Sequence, residues 1–436
     1  MNSLDRSYFP LASPQSYPIP QVVYMEVLED QKPVSDKSNS GYVQGYTVLA
    51  KSMMGAGLLG IAAACAKLGW VWGIGFSILI PIISTLSMSL LATVALENPL
   101  PTDSGATTFY KMSNRILGKW PSYLIEVAMI LKTFGASIVY LQVAGDMLAL
   151  MIVSCLEGPP AISQLNISRL IQVGLALVFY PFCLLKQISR TFIINTIGIG
   201  CLLFITATSF VYFDPSNVGV QTPVWPTTVA GALSKIPVYL FAYCCHQNVF
   251  PIVDDIGKNA TPKMKKLNLI FTLASVTGFL VYTPVMILPF ITFGSSVQDN
   301  FLRNLPSQDT VTKLAYVAAS LSVSISFPLQ VVPLRNAIVG LCEQIKNERL
   351  RIWIATAAVV AALGIAVSGA PLGVVMAITG LIGGNTIVFL TPSWLYWKSH
   401  TGGHNTNKFL WISSWAIFAL SIVLYPLCLV GIILAK

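Results

Sequence analysis

The sequence predicts an all-α polytopic membrane protein of about eleven transmembrane helices, on three observations. Hydrophobic residues make up 55% of the 436 and charged ones only 10%, with a mean hydropathy of +0.71, whereas a soluble domain carries about 25% charged residues. Apolar runs of about 20 residues, the length that crosses a bilayer, follow one another from residue 43 almost to the C-terminus. Two of these runs, the first and the sixth, are interrupted near their middle. The net charge of +9 does not point to nucleic acid, because most of the cations sit in short connections where they orient a membrane protein. Nor do the eight cysteines show the paired spacing of a zinc site or a disulfide scaffold. Cys244, Cys245 and His246 are adjacent and lack the separation of a tetrahedral site, so no metal is expected.

Residues 1–41 are polar and rich in Pro, Ser and acidic residues, with no positive segment leading into an apolar one. They read as a disordered tail and not as a signal peptide. A transmembrane region over 42–434 follows, with spans near 43–67, 70–96, 121–154, 168–186, 191–213, 229–252, 267–293, 310–342, 351–369, 372–397 and 408–434. A short amphipathic piece over 107–117 is expected along the cytoplasmic surface between spans 2 and 3. Fourteen Lys and Arg lie at the even-numbered connections, against six at the odd ones and the C-terminus. The positive-inside rule therefore places the even connections and the N-terminus in the cytoplasm. Asn166-Ile-Ser168 becomes an outward glycosylation sequon, while Asn259-Ala-Thr261, cytoplasmic and followed by Pro262, is expected bare.

The first interruption is KSMMGAGLLG, Lys51 to Gly60. Glycine costs a helix roughly 1 kcal/mol against alanine, and a charge at membrane depth costs more. Gly55 and Gly57 face different sides, so they do not form the one-sided groove of a helix-dimer motif. Either the helix is flexible and tightly packed here, or it is discontinuous and presents bare N–H and C=O groups to a substrate. The second interruption lies in span 6, where Pro237 and Pro251 bracket a run of small and polar residues. Both broken spans come first in what would be two five-helix units, over about 43–213 and 229–397, with an extra helix at 408–434. Interrupted segments at matching positions of two halves point to a transporter binding site.

Seven segments in order carry a family likeness: MGAGLLG (54–60), YLQVAGDML (140–148), YPFCLLKQI (180–188), VYLFAYCCHQNVFPI (238–252), TFGSSVQDNFL (292–302), FPLQVVPLRNAI (327–338) and GLIGGNTIVFLTPSWLYW (380–397). Together they resemble the amino acid/auxin permeases over roughly residues 42–430, in particular the sodium-coupled neutral amino acid transporters and their vacuolar relatives. The resemblance implies a five-plus-five inverted-repeat core with helices 1 and 6 broken, and an eleventh helix. It implies secondary active transport of amino acids, neutral ones such as glutamine, coupled to sodium or protons. A plasma, endolysosomal or vacuolar membrane follows. The expected partners are substrate and lipid, with a monomeric chain and no cofactor beyond the coupling ion. The alternative is a membrane amino acid sensor with little flux. An enzyme is not expected, since neither HExxH nor GxSxG appears and no two carboxylates are placed for acid–base work; the missing GxxxxGK[ST] argues against a primary pump.

The resemblance also implies a site between spans 1, 3, 6, 8 and 10. The substrate carboxylate would meet backbone amides from Gly55 through Ala56 and Gly57 to Leu58. The amino group would meet carbonyls of Ser52 and Met53, or of Phe241, Ala242 and Tyr243. Phe241 and Tyr243 would act as a lid or as ordinary packing. The cation site would draw on span 1 around Met54 and on the hydroxyls of Ser324 and Ser326, which could equally bond back to their own helix. Where many relatives carry Asn, this chain has Lys51. Its ammonium could replace a sodium ion, titrate in proton coupling, or turn aside to pair with Glu126 or Asp146. His246 is either a proton-coupling group or a hydrogen-bonded structural one. Asp146 is expected to cap and Arg335 to snorkel. Glu126 and Lys132, six apart, are expected on different faces with different partners.

Overall fold

The computed structural model describes residues 37–101, 107–158, 160, 162–184, 192–217, 222–256, 263–341, 347–401 and 407–435, with one compact unit over 41–436. Most of the expected tail and the second sequon lie outside the described residues, within which there is no strand.

Span 1 opens with α1 (Lys37–Met53), whose start lies inside the stretch expected as tail, and is left for three residues before α2 (Gly57–Glu97). At 1.5 Å per residue, the 41 residues of α2 run about 60 Å, twice the hydrocarbon thickness of a bilayer. The helix departs from α geometry at Gly69 (φ 73, ψ 174), a conformation that glycine alone adopts at no steric cost. A side chain there would also lie 2.8 Å from the backbone of Trp225. The next two amides bond to the span 5–6 connection, Trp70 N to Pro223 O (3.1 Å) and Val71 N to Val224 O (3.2 Å). Residues 57–68 therefore complete span 1 and 70–97 form span 2. Ten helices are long and apolar enough to cross a membrane among the described residues; with α2 divided, the count agrees with eleven spans.

The amphipathic piece is α3 (Phe109–Leu117), whose N-terminal amide at Lys111 bonds to the Thr108 hydroxyl and whose apolar face is buried. Spans 3, 4 and 5 are α4 (Lys119–Ser154), α5 (Gln164–Cys183) and α6 (Phe192–Val211). Span 6 is broken: α7 (Val229–Ala242) ends, a 3₁₀ turn covers His246–Asn248, and α8 (Val249–Asp255) resumes. Spans 7, 8 and 9 are α9 (Lys263–Phe293), α10 (Thr310–Leu341) and α11 (Glu348–Val367). Span 10 runs from α12 (Leu372–Thr379) through two wide π turns, Gly380–Gly384 and Thr386–Leu390, into α13 (Thr391–Ser399). Span 11 is α14 (Lys408–Leu434). Burial separates an inner set from an outer one. The most apolar stretch of span 6 is 89% buried and that of span 4 only 17%, with Leu170, Leu177, Val360 and Ile422 turned outward. Helices satisfy their own backbone, so such side chains can face lipid.

Three expectations change. Arg335 does not snorkel: it is 5% exposed and donates to the carbonyls of Cys183 and Leu184 at the end of span 4. Asp146 caps no helix; it accepts from Ser168 and pairs with Arg303 at 2.8 Å. Asn166 is exposed in the first turn of α5 and not in a loop, because Ser163 caps the helix three residues before it.

Candidate functional site

At the span 1 break the hydrogen-bond ladder becomes local. Gly55 N bonds to Met53 O (2.9 Å), Leu58 N to Gly55 O (3.2 Å) and Leu59 N to Ala56 O (3.1 Å). Of the four amides expected to be bare, Gly55 and Leu58 are thus occupied. Those of Ala56 and Gly57 donate to no carbonyl among the described residues, and the carbonyls of Lys51 and Ser52 accept from none. The free amides open α2, where the aligned peptide dipoles add partial positive charge.

Both glycines are there for close approach. A side chain on Gly55 would reach 2.5 Å from the Tyr140 hydroxyl, and one on Gly57 would reach 2.7 Å from Ala242 Cα. The two breaks therefore touch, backbone to backbone. Tyr282 of α9 ties them together: its hydroxyl reaches Met53 O at 2.6 Å and Ala242 O at 3.0 Å, while its ring meets Tyr243 edge-on at 5.0 Å. Gln247 donates to the Ser52 hydroxyl at 3.0 Å.

A cavity lies at this junction, lined by Ser52, Met53, Gly55, Gly57, Lys132, Ala136, Tyr140, Phe241 and Cys244. It holds about 10 Å³, room for one water and not for an amino acid, so this conformation is closed around the site. Phe241 borders the space; Tyr243 is buried against Tyr282 and does not. His246 is wholly buried outside the lining, and neither ring nitrogen has a hydrogen-bond partner among the described residues.

Lys51 turns to neither Glu126 nor Asp146. Its ammonium donates to Ser322 of α10, to the hydroxyl at 3.0 Å and the carbonyl at 3.2 Å, and its stem lies where Gly198 of α6 lacks a side chain. Ser326 bonds back to the Ser322 carbonyl at 2.9 Å, Ser324 is buried without a partner among the described residues, and Met54 is wholly buried. Ser322 was not expected. The signal was present: 322 and 326 are four apart and share a helix face, and 324 is not on it. Tyr140, Tyr282 and Lys132 also went unassigned to the site; Lys132 donates to Gln330 at 3.1 Å.

A larger cavity of about 430 Å³ opens at the end of the bundle that carries the odd-numbered connections, among Gln142, Asp146, Arg169, Asp299, Arg303 and Ala370. Two ion pairs cross that end, Lys235–Asp299 at 2.9 Å and Arg303–Asp146 at 2.8 Å. Asp299 also accepts from Gly373 N at 3.2 Å, which fixes the span 7–8 connection to the start of span 10.

The family described as transmembrane amino acid transporter protein matches residues 38–434. The chain belongs to this family. Among its members, vacuolar amino acid transporter 5 of Schizosaccharomyces pombe is 25% identical over 305 residues, 69% of each chain. Vacuolar amino acid transporter 6 of Saccharomyces cerevisiae is 23% identical over 319 residues, 71% of this chain and 68% of that one. Human solute carrier family 38 member 10 is 28% identical over 70% of this chain, which spans only 28% of that longer protein. Both broken spans lie within the matched residues of this transporter family member.

Proposed function

We propose that this chain is a secondary active amino acid transporter that works by alternating access, with its substrate seated between the breaks of spans 1 and 6. One observation carries the reading: both spans are interrupted at one level, with Gly57 against Ala242 and two free amides beside them. In the opened state the Ala56 and Gly57 amides take the substrate carboxylate. The Lys51 and Ser52 carbonyls take its ammonium, joined by Met53 and Ala242 when Tyr282 releases them. Phe241 covers the bound molecule. Spans 1–5 and 6–10 act as the two inverted halves that rock about this point.

Coupling runs through Lys51. Its ammonium stands between spans 1, 5 and 8, on Ser322 and beside Ser326, one of the two hydroxyls that the family likeness gives to a cation, and supplies there the charge that a sodium ion would bring. Loss and gain of its proton would couple transport to a pH gradient. The excess of Lys and Arg at the even connections favours a cytoplasmic N-terminus, so the large cavity opens away from the cytoplasm. The names of two relatives favour a vacuolar membrane.

The test is uptake by proteoliposomes holding the purified full chain, against a panel of amino acids with glutamine as the neutral reference, under sodium and pH gradients in turn. The expected result is accumulation of at least one amino acid that collapses with the gradient. Saturable binding with no flux under either gradient would return the sensor.

A further inference from the structure

Resting on the transport reading above, we propose that the substrate carries an anionic side chain, whose carboxylate is received by Lys132. Lys132, Ala136 and Tyr140 are spaced by four along α4, so they form one stripe, and all three line the cavity at the breaks. Tyr140 stands beside Gly55, next to the free amides. Lys132 lies eight residues away, about 12 Å along the helix axis. The stripe thus has an anion-binding backbone at one end and an ammonium at the other.

That ammonium is unusually placed. Lys132 is 3% exposed, and among the described residues its one hydrogen-bond acceptor is the neutral Gln330 side chain, which leaves two of its three N–H groups unused there. No carboxylate pairs with it among the described residues; Glu126, the nearest acid in sequence, is six residues away on another face of α4. Span 10 fixes its stem, because Gly383 of the first π turn packs directly on the Lys132 backbone and Cβ. A buried cation with one neutral acceptor is costly unless a counter-charge completes it. Lys51 is a second buried cation with no carboxylate partner among the described residues. A zwitterion with a neutral side chain brings no net charge to this pair of ammoniums. Aspartate or glutamate brings one negative charge, with a carboxylate for each end of the stripe.

The experiment compares uptake of glutamate and aspartate with their near-isosteric amides, glutamine and asparagine, by proteoliposomes of the full chain and of Lys132→Gln and Lys132→Arg. We expect the wild type to prefer an acid over its amide by at least about tenfold, the scale of a charge-assisted hydrogen bond. Lys132→Gln should bring the acid-to-amide ratio to about one, and Lys132→Arg should keep the preference. Uptake of the amides with acids refused, or an acid preference that survives Lys132→Gln, overturns the inference and leaves the transport reading standing. Uptake of none of the four by the wild type overturns the inference, and the transport reading is then decided by the wider panel. If Lys132→Gln does not insert, the wild-type ratio alone decides.

Discussion

At the scale of the residue, the site depends on what Gly55 and Gly57 lack. Any Cβ at 57 would sit 2.7 Å from the span 6 backbone, which cannot swing aside as a side chain end could. Gly55→Val and Gly57→Val are expected to abolish uptake while each variant still inserts and purifies as a monodisperse protein. Normal uptake in both would remove the role given to the break. Lys51→Asn should change which ion drives uptake, because the ammonium on Ser322 is replaced by a neutral amide that can itself coordinate a cation. An identical dependence on sodium and pH in the variant would make Lys51 structural. The glycines and Lys51 stood out in the sequence because they interrupt an otherwise apolar run, whereas Phe241 and Tyr243 came from the family likeness, and of those two only Phe241 borders the cavity. Tyr140, Tyr282, Ser322 and Lys132 were legible in neither way. They come from spans 3, 7 and 8, and only the packing of distant helices brings them to the break.

At the scale of the element, bilayer thickness made the sequence easy to divide. A helix must stay apolar for about 20 residues, and the expected limits of span 11 match the observed Lys408–Leu434. The turn at Gly69 falls between the expected limits of spans 1 and 2, 67 and 70, although no polar loop marks it. The π turns of span 10 left no such trace, because they use residues as apolar as those of an α-helix. Single π turns often mark functional sites; here the first one brings Gly383 onto Lys132 and Gly384 against Leu240, so span 10 touches both walls of the site. The span 7–8 connection is fastened to its neighbours by Asp299 on Lys235, Arg303 on Asp146, and Asp299 on the span 10 amide. These pairs are partly exposed and contribute about 0.2–1 kcal/mol each. Removing both, with Asp146→Asn and Asp299→Asn together, should shift a closed–open balance up to about thirtyfold towards open. Cys244 lines the closed cavity and reports on it. In a background without the exposed Cys155, its labelling by a water-soluble thiol reagent should accelerate several-fold. An unchanged rate would show that these pairs do not hold the site shut.

At the scale of the whole molecule, the contrast between the two cavities describes the conformational state. About 430 Å³ stands open at one end, while the site in the middle has room for a single water. Admission of a substrate therefore requires the bundle to part along its breaks. The two portions of span 1 are anchored in different ways. Its second portion continues through Gly69 into span 2, and that corner is held by main-chain bonds to Pro223 and Val224. Its first portion, ending at Met53, is held by side chains: Tyr46 on Thr277, Lys51 on Ser322, Gln247 on Ser52, Tyr282 on Met53. Side-chain grips can be exchanged one at a time, and a peptide seam cannot. Span 1 is thus a door hung from its far jamb: the leaf that swings is the one nearest the N-terminus, and a few changing handholds decide when it does.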